Sequence, residues 1–85
     1  MNLILERPLA FFDLEATGID HVNDRIVEVA VVKLLPDGTK ERFCKRVNPE
    51  MEIPAHATAI HGISNKDVAL APTFEQISAE LDAFL

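Results

Sequence analysis

Three segments in the first half of the chain have the apolar content of β-strands. Residues 8–15 (PLAFFDLE) and 25–35 (RIVEVAVVKLL) are apolar on both faces, which is typical of strands inside a sheet. Residues 40–48 (KERFCKRVN) alternate between polar and apolar, as a half-exposed outer strand does. The PDG turn at 36–38 joins the last two into an antiparallel hairpin. We therefore expect a three-stranded antiparallel sheet with residues 8–15 in a central position.

The second half of the chain has the periodicity of helices. Residues 49–64 contain two prolines and short helix-length fragments, and Ser64 is a capping residue for a turn over NKDV. Thr73 begins a longer helix, over residues 73–85, with Gln76 three positions later as a capping box. The apolar residues at helical spacing form one face that is expected to cover the sheet, and they are Phe74, Ile77, Leu81 and Phe84.

Three strands with one covering helix make a thin domain. A chain of 85 residues allows one domain at most, and it buries only about 60–65% of its unfolded surface. The sequence stops on the apolar face of its last helix, without a further strand. We therefore expect residues 1–85 to be the N-terminal portion of a single larger α/β domain.

Composition and charge narrow the function classes. Hydrophobic residues make up 48% of the chain, which indicates a globular protein. The net charge of −6 argues against binding nucleic acid through a generally basic surface, although metal ions can offset it. The clustered cations are either a solvated strand face or a phosphate track, and they are Lys40, Arg42, Lys45 and Arg46.

Cysteine content and the N-terminal segment indicate the compartment. Cys44 is the single cysteine, so no intrachain disulfide can form and a reducing environment is expected. The apolar patch in residues 1–9 is too short for a signal peptide or a membrane span. We expect a cytoplasmic protein without a membrane partner.

Two acids interrupt the apolar run AFFDLEATGID at residues 10–20. Asp13 and Glu15 fall on the same face of a strand, with Cα atoms about 6.7 Å apart. That spacing suits one or two hard cations bound through oxygen, as Mg²⁺ prefers. Phe12 and Leu14 are expected to point the other way, into a core. The alternative is a pair of solvated acids at a strand end.

Glu28 is a candidate third acid. It lies inside the second strand, whose start is near Asp13 and Glu15 if the two strands are antiparallel. The alternative is an edge-facing side chain, or one paired with Arg25 or a lysine.

Three segments in fixed order, FFDLEATGID, DRIVEVAVVKL and AIHGIS, together resemble the DEDD 3′–5′ exonucleases of the RNase H-like fold. The branch that they resemble contains the proofreading subunit of bacterial DNA polymerase III and ribonuclease T. The likeness covers residues 9–64, and residues 11–18 fit the first motif of the family, hydrophobic-Asp-x-Glu-x-Thr-Gly. The resemblance implies an α/β, RNase H-like fold.

The resemblance also implies a chemistry. Asp13 and Glu15 would be two of the four acidic ligands of two divalent cations, Mg²⁺ or Mn²⁺, that assist hydrolysis of the terminal phosphodiester. The substrate would be the 3′ end of single-stranded DNA or RNA, the product a nucleoside 5′-monophosphate, and a DNA polymerase the expected protein partner.

Four further positions match the family's nucleotide-binding segments. Backbone groups near Thr17 and Gly18 would hold the terminal nucleotide, because a residue without Cβ lets the backbone approach a ligand closely. Ile60 and His61 match the segment beside the terminal base. For His61 the alternative is a role at the helix C-terminus, ahead of Gly62.

The sequence departs from the family in its last part. Residues 69–85 contain neither the Asp of the second motif nor the His and Asp of the third. Asp82 lacks the flanking His-Asn pattern, and neither His21 nor His56 matches the position of the family's general base. We expect the chain alone to be inactive or nearly so.

Two other function classes remain open. The chain is alternatively a non-catalytic remnant or interaction module, which self-associates through the apolar face of its last helix or is completed by another chain. The motif beginning at Asp13 also approximates the nucleophile motif of haloacid-dehalogenase-type phosphatases. That family, however, normally has Asp at the position of Glu15 and follows it with a helical cap or a parallel crossover.

Overall fold

The computed structural model describes residues 6–20 and 23–85 and shows three strands followed by three helices. The sheet is antiparallel throughout, in the order β1-β2-β3. The observed order of elements agrees with the order that the sequence predicts. The elements are β1 (Leu9–Ala16), β2 (Ile26–Leu34), β3 (Lys40–Arg46), α1 (Ala55–His61), α2 (Asn65–Val68) and α3 (Phe74–Phe84).

The core lies on one face of β2. Val27, Val29 and Val31 alternate along the strand and are at most 2% exposed. Val29 and Val31 pack with Ile77 of α3 and with Val47, while Val27 packs under α1 and α2 in a second cluster with Ile53, Ala57, Ile63 and Val68. The helices therefore cover only the valine face of the sheet. None of the described helices is both long and apolar enough to span a membrane.

The capping box of α3 is confirmed. The Thr73 hydroxyl accepts a hydrogen bond from the Gln76 backbone N–H (3.3 Å), and the Gln76 side chain accepts one from the Thr73 backbone N–H (2.9 Å). At the other end, Lys33 Nζ donates to the Phe84 carbonyl oxygen (2.8 Å) and lies 5.5 Å from the Phe84 ring centre. Both ends of α3 are thus fixed.

The apolar face of α3 packs on the sheet. Ile77 is 1% exposed, and Leu81 and Phe84 are half-buried against the same cluster. Phe74, at 42% exposure, is the member of the face that solvent reaches most. The hypothesis that this face is an exposed docking surface is therefore wrong for three of its four residues, because the sheet already covers them.

The predicted central position of β1 is wrong for the described structure. β1 pairs with β2 on one side only and forms an edge of the sheet. Phe12 and Leu14 share the face of the buried valines, but they remain 52% and 49% exposed because no described helix extends over them. Phe11, on the opposite face, is 59% exposed. The composition of β1 is that of an inner strand, whereas its described surroundings are those of an edge.

Candidate functional site

The two acids of β1 lie on the face of the sheet opposite the valine core. Asp13 pairs with Ala30 of β2, and Glu15 pairs with Glu28. Asp13 is exposed and Glu15 is half-buried. Within the described residues neither carboxylate takes part in an ion pair or a hydrogen bond. Two adjacent carboxylates without a partner repel one another, and a cation relieves that repulsion.

The donor set fits a hard divalent cation. Carboxylate oxygens on one strand face are the ligands that Mg²⁺ prefers. Over residues 6–20 and 23–85, however, no group of three or more His, Cys, Asp and Glu side chains is arranged to hold a metal. Within the described residues, Asp13 and Glu15 therefore offer oxygen ligands of the kind that a hard cation prefers, without a complete set of ligands.

Glu28 lies beside this pair but has a partner of its own. Its Oε2 is 3.5 Å from Nε of Arg46, which also reaches Asp67 of α2 (4.0 Å). Arg25, which the sequence offers as a partner, donates instead through Nη1 to the Pro49 carbonyl oxygen (3.1 Å). Hydrogen bonds from the Ser64 backbone and hydroxyl lower the pKa of Asp67, so it stays anionic near Arg46.

Thr17 holds the end of β1 to the start of β2. Its side chain is fully buried, and its hydroxyl donates to Asp24 Oδ1 (2.7 Å). The Thr17 hydroxyl oxygen also accepts a hydrogen bond from the Arg25 backbone N–H (3.0 Å). Its own backbone N–H donates to the Arg25 carbonyl oxygen (2.8 Å). These groups are occupied within the chain, so the structure places Thr17 behind the site as a support for the loop.

Gly18 leaves room for the Asp24 carboxylate. A Cβ at position 18 would lie 2.8 Å from Asp24 Cγ, which real side chains do not tolerate. Asp24 in turn accepts a hydrogen bond from the Asp20 backbone N–H (2.9 Å). Asp24 is not among the site residues predicted from the sequence. The available signal was an aspartate at the far end of a Gly- and Asn-containing loop, where such side chains bind backbone N–H groups.

His61 joins the end of α1 to the end of β1. The Ile63 backbone N–H donates to Nδ1 (3.0 Å), so Nδ1 must be an acceptor, and Nε2 therefore carries the proton that it donates to the Ala16 carbonyl oxygen (3.0 Å). Gly62, with φ of 77°, ends the helix, and its N–H donates to the Thr58 carbonyl oxygen (2.7 Å). Both ring nitrogens of His61 are thus used by backbone groups.

These contacts form a groove of about 440 Å³ between the end of β1 and α1. Four residues that the sequence predicts for the site line it together: Glu15, Gly18, Ile60 and His61. Thr17 lies behind the groove. Asp13 does not line it, but lies two residues before Glu15 on the same face of β1. The remaining lining residues are Leu14, Ala16, Ile19, His56 and Ala57. His56, which the sequence analysis set aside, is thus part of the wall, whereas His21 is outside the described residues.

A protein-family model shows to which family the chain belongs. The RNase_T family model, described as Exonuclease, matches residues 10–85. The chain belongs to this exonuclease family. The match covers the whole described chain except its first few residues, and it confirms the resemblance drawn from the sequence motifs.

Two curated relatives are DNA polymerase III proteins. The chain is 34% identical over 73 residues to the DNA polymerase III PolC-type protein of Caldanaerobacter subterraneus subsp. tengcongensis. It is 38% identical over 77 residues to the DNA polymerase III subunit epsilon-like protein of Rhodobacter capsulatus. Each match covers 86% of this chain, but the chain spans only 5% and 11% of the two relatives.

A solved structure confirms the fold class. The nuclease domain of 3′hExo, a DEDDh family member crystallised with rAMP, superposes with a TM-score of 0.75 at 23% identity. The match covers 91% of this chain and 42% of that domain. The three strands and three helices of this chain therefore have the arrangement of part of the RNase H-like exonuclease fold.

Replacing the buried hydroxyl of Thr17 tests the structure of the loop. We expect Thr17→Val to lower the free energy of unfolding by about 1–3 kcal/mol, because the Arg25 N–H loses its acceptor in a partly buried position. Urea denaturation followed by circular dichroism measures the change. Thr39→Val is the matched control: its hydroxyl binds Asp37 in an exposed turn, where water replaces it, so the loss is below about 1 kcal/mol. Equal losses in both variants would contradict the assignment.

Proposed function

We propose that this chain supplies the first motif and the terminal-nucleotide groove of a two-metal 3′–5′ exonuclease. Its substrate is the 3′ end of single-stranded DNA or RNA, and its product is a nucleoside 5′-monophosphate. The observation that carries the proposal is the pair of unpartnered carboxylates beside a groove of about 440 Å³. That volume lies within the range of about 300–1,000 Å³ typical of small-molecule sites.

The residues of the chain divide the task between them. Asp13 and Glu15 would hold Mg²⁺ or Mn²⁺, and bound cations would supply the Lewis-acid stabilisation that phosphodiester hydrolysis needs. Ile60, 83% exposed on the groove wall, offers apolar surface to a base. His61 keeps α1 at a fixed position relative to the end of β1. Glu28 lies opposite Glu15 on β2, and its charge is offset by the ion pair with Arg46.

We further propose that residues 1–85 are the N-terminal portion of the exonuclease domain, completed by residues that supply the missing acids and the histidine. The two edges of the sheet support this. β3 carries the charged side chains that protect an edge strand from pairing: Lys40, Glu41, Arg42, Lys45 and Arg46. β1 instead exposes Phe11, Phe12 and Leu14. An apolar, unprotected edge is suited to accept a further strand.

The same edge defines the proposed protein contacts. A strand added along β1 would come from the rest of the domain or from a complementing chain, and in the isolated chain a second copy can take its place. The two relatives are named DNA polymerase III PolC-type and DNA polymerase III subunit epsilon-like protein, and these names support a polymerase as partner in proofreading or repair.

The alternatives are less well supported. A non-catalytic interaction module would use β1 rather than α3, because the sheet covers most of the apolar face of α3. A phosphatase with Asp13 as nucleophile would be expected to continue into a helical cap or a parallel crossover, whereas β1 is followed by an antiparallel strand.

Metal binding by Asp13 and Glu15 is the direct test of the proposal. We expect substoichiometric Mn²⁺ to broaden the amide NMR signals of residues 12–16 selectively, because a bound paramagnetic ion relaxes nearby nuclei. The Asp13→Asn/Glu15→Gln variant should lose this effect. Glu41→Gln/Glu80→Gln removes two exposed acids, one of β3 and one of α3, that do not line the groove, and it should retain the effect. Uniform broadening across all exposed acids would contradict a specific site.

The chain alone should not degrade nucleic acid. We expect a 3′-labelled single-stranded oligonucleotide with Mn²⁺ to be shortened no faster by the 85-residue chain than by Asp13→Ala, because two of the four acidic ligands and the base are missing. Gel analysis of the label measures the rate. Faster shortening by the unchanged chain would show that residues 1–85 already contain a working site.

Pairing at the β1 edge should be visible as self-association. We expect native mass spectrometry at about 100 μM to show dimers of the chain, and Phe11→Lys to reduce them, because a charge on the edge opposes strand pairing. Glu41→Gln makes the same net charge change of +1 on β3 and should leave the dimers in place. Clean monomers for the unchanged chain, or equal loss in both variants, would count against the β1 edge.

A further inference from the structure

The groove contains three polar side chains, and two of them are committed. The polar lining side chains are Glu15, His56 and His61. Both ring nitrogens of His61 are engaged by backbone groups of Ile63 and Ala16. Glu15 belongs to the carboxylate pair that the proposed function assigns to cations.

His56 is the polar group of the groove that remains available. It is exposed, and it takes part in no hydrogen bond or ion pair with the described residues. Its ring offers one hydrogen-bond donor and one acceptor when neutral, together with an aromatic face. Any ligand in the groove that needs a hydrogen bond from a side chain other than a cation ligand must find it at His56.

The position of His56 relative to Ile60 indicates which part of a nucleotide it meets. The two residues are four apart in α1, so they lie next to one another on one helix face, and both line the groove. Ile60 and Ile19 are 83% and 104% exposed, and so present apolar surface to whatever occupies the groove. An apolar slot with a single hydrogen-bonding group suits a nucleobase, which has a flat apolar face and a polar edge.

We infer that His56 contacts the base of the 3′-terminal nucleotide and is a specificity-determining residue of this exonuclease site. The inference rests on the proposed function, because it takes the groove to be the terminal-nucleotide site. Ile60 packs on the face of the base, and His56 stacks on it or binds its edge. His56 thus makes the affinity depend on which base is present, whereas Asp13 and Glu15 would act on the phosphate through bound cations.

The test compares ligands with and without a base. Dissociation constants are measured by NMR titration of the 85-residue chain, with Mg²⁺ present, for the four deoxynucleoside 5′-monophosphates and for 2-deoxyribose 5-phosphate. We expect the nucleotides to bind about tenfold more tightly than the sugar phosphate. His56→Ala should remove most of that tenfold difference while leaving the affinity for 2-deoxyribose 5-phosphate unchanged.

Two further variants separate stacking from edge recognition. His56→Phe keeps an aromatic face without polar ring atoms, so it should restore affinity but reduce the spread among the four bases. Ala59→Ser changes an exposed residue of the same helix that does not line the groove, and it should behave as the unchanged chain does. Because His56 is exposed, these variants should keep the circular dichroism spectrum and melting temperature of the parent.

The outcomes distinguish this inference from the proposed function. If His56→Ala weakens binding of 2-deoxyribose 5-phosphate as much as that of the nucleotides, His56 acts on the phosphate and the inference is wrong. It is also wrong if the preference for nucleotides survives in His56→Ala. If the Asp13→Asn/Glu15→Gln variant binds both ligand types as tightly as the unchanged chain does, the proposed function itself fails. It also fails if the unchanged chain binds neither ligand type.

Discussion

The pairing register of β1 and β2 is the constraint on which the candidate site depends. The buried valines set which face of β2 meets the helices, and the antiparallel register then sets the face of every side chain in β1. Asp13 and Glu15 lie on the open face for this reason alone. A slip of one residue would turn both carboxylates toward the apolar core and place Phe12 and Leu14 on the open face. The same pairing register therefore determines both the composition of the core and the face on which the two acids lie.

The groove depends on backbone contacts made by side chains that do not themselves take part in the proposed chemistry. Thr17 and Asp24 close the loop after β1, and Gly18 provides the space that this carboxylate requires. His61 connects α1 to the same strand end. Satisfying these buried polar groups inside the chain preorganises the walls, so that binding a ligand requires little further ordering of the protein.

The uneven protection of the sheet links the fold to the proposed assembly. The β3 edge carries charged side chains that oppose pairing with another strand. The β1 edge is apolar, and its side chains are about half exposed on both faces of the sheet. In the proposed larger domain, a further strand would pair along the apolar edge of β1. That proposal accounts both for the exposed apolar surface of β1 and for the lack, within the described residues, of three or more side chains arranged to hold a metal.

The sequence by itself determined the order of strands and helices, the capping box at Thr73 and the shared face of Asp13 and Glu15, because these follow from local periodicity and from a motif of neighbouring residues. Its likeness to the exonuclease family also rests on such contiguous segments. Only the tertiary structure decided that β1 is an edge and that Glu28 pairs with Arg46. It alone also brought His56 into the groove, because these contacts join segments that are far apart in the chain, and local pattern carries no information about which distant surfaces meet.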